Sequence, residues 1–255
     1  MTSETLARFV RERDAAFAAS LRGTPAEEIA SVETEHEIRL PGSYVDFLRL
    51  MGRDSGDFSL FGAAHTHSFD DLRSALPDAY YPVREFFRIA CPTEEADISA
   101  LDYFLDLRRS DGSDSPIVMF QETDDFSVDR VKEQHFTFNE WMVRQLFTFL
   151  VLNRAEERSL VVVGCAGASE AAAMRDDMLT LLGKMKFQTS LDALQRVVCL
   201  QRGAAAALVS VLAGGLGVGV GLGSRDREEL EVIVDQFLVR YPTAAVRDPR
   251  RPQGM

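Results

Sequence analysis

Residues 38–52 read IRLPGSYVDFLRLMG, and the fold of the first half of the chain turns on how that stretch is read. A proline has φ near the helical value and gives up no needed donor at a helix start, so Pro41 marks an entry. Tyr44, Phe47, Leu48 and Met51 follow at i, i+3, i+4 and i+7, the spacing of a helical stripe that faces a core. Gly52 can end the helix, and GRDSGDF after it reads as a loop. The stripe holds no acid or nucleophile suited to chemistry. It is a packing device.

Working outward, residues 5–21 place Leu6, Phe9, Val10, Arg13 and Phe17 near a 3.6-residue period, which predicts one amphipathic helix. A second helix is expected with Thr24 as N-cap, Pro25 in its first position, Glu27 and Glu28 behind them, and an end before Pro41. Beyond the loop the period shortens. FSLFG and HTHSF read as strands and DDLRSAL as a short helix. Residues 102–121, DYFLDLRRSDGSDSPIVMFQ, form the clearest hairpin, two apolar runs around a turn of Ser, Asp and Gly. TFNEWMVRQLFTFLVL opens with Thr137 and, three residues on, Glu140, a capping box.

Residues 24–152 resemble the SUKH superfamily, the Smi/Knr-like proteins. The resemblance rests on RLPGSYVDFLRLMG, the Gly- and Asp-containing loop, the edge FLDLRRSDGSDSPIVMF, and the closing helix opened by FNEW. In that family the Leu-Pro-x-x-Tyr-x-x-Phe-Leu element is usually followed by Asn-Gly; here the chain reads Met51-Gly52-Arg53. The resemblance implies an α+β domain, residues 1–155, with a twisted antiparallel sheet and flanking helices. Many bacterial members are immunity proteins that bind and silence a toxin, often a nuclease or deaminase, and others are regulators or scaffolds. No shared catalytic residue comes with the family.

Residues 156–245 predict a second, small α+β sandwich, and residues 246–255 a polar flexible tail. RSLVVVG, MKFQ, VVCLQ, AALVSVL and LGVGVGLG read as strands. ASEAAAMRDDMLTLLGK reads as a helix with Ser169 as N-cap, and SRDREELEVIVDQFLVRY as a closing helix. Residues 203–224 carry no charge and are long enough to span a bilayer. Strict alternation of Gly217, Gly219, Gly221 and Gly223 with Leu216, Val218, Val220 and Leu222 is period two, however, and means strand. Ala213-Gly214-Gly215 is then a turn, and no membrane partner is expected.

The 255 residues are 46% hydrophobic, enough for two cores. Three cysteines without metal spacing argue against a disulfide framework, and the charged start carries no apolar leader. A reduced, cytoplasmic setting is expected. Residues 1–155 hold 28 acidic against 16 basic residues and so carry the whole net charge of −12, while residues 156–255 balance. Such a field repels nucleic acid and anionic lipid and attracts basic partners. It also serves plain solubility.

Catalytic signatures are sparse. VVVGCAGASE places glycines between a strand and a helix, yet lacks the Gly-Lys-Ser/Thr and G-x-G-x-x-G patterns of phosphate loops. His65 and His67 would share one face of a strand with Asp70 and Asp71 nearby, so a metal site is conceivable, but with two imidazoles and no obvious third ligand surface or turn histidines are the plainer reading. No catalytic, metal or cofactor residues are assigned. The expectation is a stoichiometric binder whose acidic residues Asp54, Asp57, Asp111, Asp114, Glu122, Asp124, Asp125 and Asp129 meet a basic protein toxin, with homo-oligomerisation open. The alternative is an intracellular scaffold or regulator built on the same domain.

Overall fold

The computed structural model describes residues 3–93, 101–120, 132–191 and 194–248, with residues 3 and 132–135 by their backbone alone. The chain is α+β and divides into two compact units, Met1–Met142 and Val143–Met255.

The first unit opens with α1 (Ser3–Arg13) and α2 (Ala15–Ser20) where the periodicity predicts one helix. Asp14 makes the break. Its backbone is extended and its carboxylate accepts the Phe17 N–H at 2.8 Å, so it caps α2 instead of continuing α1. In α3 (Ala26–His36) the cap position belongs to Pro25, not Thr24. The Thr24 N–H is spent on the Leu48 carbonyl, and its hydroxyl is buried against α4 (Gly42–Met51) without a hydrogen bond.

Tyr44, Phe47, Leu48 and Met51 of α4 are all buried, as the stripe predicts. Tyr44 packs edge-on to Phe138 at 5.0 Å and tilted to Phe87 at 5.8 Å. Glycine is needed at position 52 for a steric reason, not a conformational one. Its φ is an ordinary −69°, but a Cβ there would lie 2.6 Å from Thr24 Oγ1 and 2.7 Å from the Leu48 carbonyl.

A five-stranded antiparallel sheet follows in the order β1 (His65–Thr66), β2 (Phe86–Pro92), β3 (Asp102–Asp106), β4 (Pro116–Phe120) and β5 (Lys132–Thr137), with α5 (Phe69–Ser74) after β1. Residues 58–62 form no strand. Phe58, Leu60 and Phe61 are buried, but two of the carbonyls find side-chain donors instead of a ladder: Ser55 Oγ donates to Phe58 at 2.7 Å and Trp141 Nε1 to Leu60 at 2.8 Å. The expected hairpin of β3 and β4 forms, with Phe104 opposite Val118 and Leu105 opposite Ile117. Helix α6 (Phe138–Leu150) opens with the capping box, Glu140 N–H to Thr137 Oγ1 at 3.4 Å and Thr137 N–H to Glu140 Oε2 at 3.3 Å. The division between the units falls inside α6.

In the second unit β6 (Glu157–Gly164), α7 (Ala168–Lys184), β7 (Gln188–Thr189), β8 (Val197–Arg202), β9 (Ala205–Val211), β10 (Gly217–Ser224), α8 (Arg227–Arg240) and β11 (Ala245–Arg247) build a six-stranded antiparallel sheet. Its order is β11-β6-β10-β9-β8-β7. Val161, Val163, Val209, Val218 and Val220 pack with Met178 and Leu182 of α7 and Ile233 and Phe237 of α8. The uncharged run is the β9–β10 hairpin, turned at Ala213–Gly215 where Gly214 and Gly215 take positive φ. No described helix is long and apolar enough to cross a membrane. Helix α7 is preceded by Gly167, which leaves Ser169 inside its first turn. Residues 246 and 247, assigned from sequence to the flexible tail, instead join Ala245 in an edge strand paired with β6.

Candidate functional site

Helix α4 organises the described acidic residues by holding one loop at each end. At its start, Gly42 and Ser43 N–H donate to the carbonyls of Gly112 and Ser113 in the β3–β4 turn. Asp111 Oδ1 closes that turn by accepting the Ser113 N–H, Ser113 Oγ and Asp114 N–H, each at 2.8 Å. Those donors, the Asp114 amide first, hold its carboxyl below the usual range. Asp114 points into the fold. Its Oδ1 accepts Ser43 Oγ at 2.8 Å, Ser115 N–H at 2.9 Å and Asn139 N–H at 3.2 Å, tying the starts of α4 and α6 to the hairpin.

Asp54 and Asp57 lie beyond the opposite end, about 15 Å away for ten helical residues. Both are exposed, so the structure does not gather these four acids into one patch. Glu122, Asp124, Asp125 and Asp129 lie outside the described residues.

The loop that carries Asp54 and Asp57 borders a concavity of about 340 Å³, whose wall also includes Ser55, His65 and His67. Arg53 is drawn off to Glu28 at 2.6 Å and Asp70 at 3.6 Å. Asp54 Oδ1 accepts the Gly56 N–H at 2.8 Å, while its main chain bridges to Arg22.

His67 is the buried group of this site, 8% exposed beside Phe47. Its Nε2 lies 3.0 Å from Ser55 Oγ. The Ser55 proton goes to the Phe58 carbonyl at 2.7 Å, so the imidazole is the donor and the serine the acceptor. That is the reverse of a base activating a nucleophile. Nδ1 is buried with no hydrogen-bond partner, and no described acid orients the ring. Burial pushes the His67 pKa down to about 4. A neutral, inverted pair of this kind shapes a wall and does not move protons at neutral pH.

His65 turns elsewhere, Nε2 to the Leu101 carbonyl at 3.0 Å and edge-on to Tyr103 at 5.1 Å. Asp71 accepts from Thr66 at 2.9 Å and Asp70 faces Arg53. Among the described residues no group of three or more His, Cys, Asp or Glu is arranged for a metal ion. At the glycine turn before α7, Glu170 Oε2 accepts the Ala166 N–H at 2.6 Å. A phosphate entering there would meet a carboxylate already at the helix start. Burial raises the thiols of Cys91, Cys165 and Cys199 above their ordinary pKa, and a raised thiol is a poor nucleophile.

Sequence reasoning missed Asp106. It is 1% exposed and accepts from Arg108 Nε and Arg109 Nε, both at 2.9 Å. Burial alone would raise its pKa, but the two guanidinium groups outweigh it and hold the carboxyl low. The available signal was an acid at the end of an apolar strand followed at once by two arginines.

No family model and no curated protein matches the chain. Among solved structures, the NMR structure of PA4090 from Pseudomonas aeruginosa is similar at 19% identity, over 38% of this chain and 99% of its own, with a TM-score of 0.25. A likeness at that level carries no inference here.

Proposed function

We propose that this chain is a non-catalytic binding protein of the immunity type, which occludes a basic protein toxin with the acidic rim beyond α4. One observation carries the reading: Asp54 and Asp57 stand exposed beside a 340 Å³ concavity whose own polar groups are not set for chemistry. The part of the chain that bears them also carries the whole net charge. A basic partner gains encounter rate from such a field, and apolar anchors then slow release. The resemblance of residues 24–152 to the SUKH superfamily supports the same reading.

The test is co-expression with each basic protein encoded beside this chain, scored as restored growth of cells poisoned by that protein. Wild type should restore growth against one of them, and Asp54→Lys with Asp57→Lys should not. Failure of the wild type against every such neighbour overturns immunity, and a non-toxic partner recovered from the same cells would make the chain a scaffold.

A further inference from the structure

The glycine-bearing face of the second sheet keeps a cavity where larger side chains would fill the space. Val218, Val220 and Leu222 join the core beneath α7 and α8, so the glycines of β10 lie on the other face. The register builds three rows there: Val162–Gly219–Ser210, Leu160–Gly221–Leu208 and Arg158–Gly223–Ala206. At about 3.3 Å per residue the first and third rows are roughly 13 Å apart.

Leu152 and Ala155 come close over part of this face. A Cβ on Gly221 would lie 3.1 Å from Leu152, and one on Gly223 2.8 Å from Ala155. Gly219 has no such cover. A Cβ there would make only ordinary contact with Leu212 and Leu160. A cavity of about 250 Å³ remains, walled by Leu160, Val162, Leu208 and Leu212 and reached by Arg144 and Arg158, with no Asp or Glu in its lining.

Two polar groups in this lining are left for a ligand. Ser210 is 5% exposed, and its hydroxyl bonds to no described residue. Arg158 donates Nη1 to Asn153 Oδ1 at 2.7 Å, but its Nε is buried without an acceptor. A buried donor without a partner is costly, and the half-buried guanidinium of Arg158 gives an anion a charge to meet at the edge of the cavity. Burial also lowers the pKa of Arg144, the mark of a desolvated guanidinium.

We infer that this cavity binds a short aliphatic carboxylate that carries a second oxygen function toward its far end. The carboxylate meets Arg158, the chain lies along the leucine and valine wall over Gly219 and Gly221, and Ser210 takes the distal oxygen. The volume sets the size at roughly eight heavy atoms, using the ~30 Å³ that one water occupies in the liquid. An amine is excluded by the arginines, and a longer acyl chain by the volume.

The test is calorimetric titration of the full chain with hexanoate, 6-hydroxyhexanoate and hexylamine. The hydroxy acid should bind best, hexanoate more weakly, and the amine not at all. Arg158→Met should weaken both acids at least tenfold. Ser210→Ala should erase the preference for the hydroxy acid while leaving hexanoate unchanged. Gly219→Leu fills the cavity from its floor and should abolish binding with the circular dichroism spectrum retained; if it does not fold, Leu212→Phe narrows the rim to the same end. Absence of heat with either acid up to roughly 10 mM, equal binding of the amine, or full binding by the filled variant overturns the site.

Discussion

His67 couples the stability of the first unit to pH. Its folded pKa is about 4, against about 6.5 for a free imidazole. Between those values the unfolded chain binds a proton that the native state refuses, so stability rises with pH across the window. The contribution is complete above pH 6.5 and lost as pH falls toward 4. At 1.36 kcal/mol per pKa unit it amounts to about 3 kcal/mol. His67→Gln keeps a donor for Ser55 and cannot titrate. Urea midpoints measured from pH 7 to pH 4 should fall less steeply for this variant than for wild type, and equal slopes would place the acid sensitivity in other groups. Tyr44 makes a second test. Its ring is fully buried among Phe47, Phe87 and Phe138, while its hydroxyl has no partner. Tyr44→Phe should therefore be neutral or stabilising by ~1 kcal/mol. Tyr44→Ala should cost about 3–5 kcal/mol through the cavity it leaves. Loss of stability in both variants would show that the hydroxyl is satisfied in solution. Tyr44 was legible because helical spacing names a buried face. The burial of His67 was not, since the Ser55 and Phe58 groups that hold it come from a loop with no period.

At the scale of elements, strong periodicity survived folding and local side-chain competition did not show. The α4 stripe, the β3–β4 hairpin and the alternating glycines of β10 repeat a pattern that the backbone enforces, and the α6 capping box is the local signal that a fixed three-residue offset made readable. Asp14 broke a predicted helix because one carboxylate satisfied an amide three residues on. Residues 58–62 lost their strand because Ser55 and Trp141 supplied donors from outside the run. The candidate site was legible only as charge: sequence grouped Asp54 and Asp57 with Asp111 and Asp114, and folding set them at opposite ends of α4. The glycine strand yields a graded prediction. A Cβ at Gly217 would lie 2.5 Å from the Val163 carbonyl, backbone that cannot turn aside, so Gly217→Ala should destabilise by roughly 1–3 kcal/mol. Gly219 has ordinary room, and Gly219→Ala should stabilise by about 0.4–1 kcal/mol by narrowing the unfolded ensemble. Denaturant melts of the two variants check the order. A reversed order would mean that the β6–β10 register is misplaced.

For the whole molecule the decisive asymmetry is electrostatic: residues 1–155 carry −12 and the remainder balances. A field of that size serves solubility by self-repulsion, and under the proposed function it also steers a basic partner. Screening separates that role from a merely solubilising one. The Debye length shrinks from about 10 Å at 0.1 M salt to about 3 Å at 1 M, so charges that steer encounter lose their reach while contacts already formed lose less. With the toxin found by growth rescue, the association rate should fall steeply between roughly 50 and 500 mM salt, and the dissociation rate should change little. Asp57→Lys should lower the low-salt association rate and flatten its salt dependence without moving the melting temperature, because Asp57 is exposed, whereas Asp54→Lys also removes the acceptor of the Gly56 N–H. Reversal of Asp124, Asp125 and Asp129 should act in the same way if the acidic run joins the contact. Asp114→Lys is the contrasting control. It should fail by unfolding, since that carboxylate holds Ser43, Ser115 and Asn139 together. A salt-independent association rate in the wild type would remove the acidic surface from recognition and leave binding to apolar contact alone.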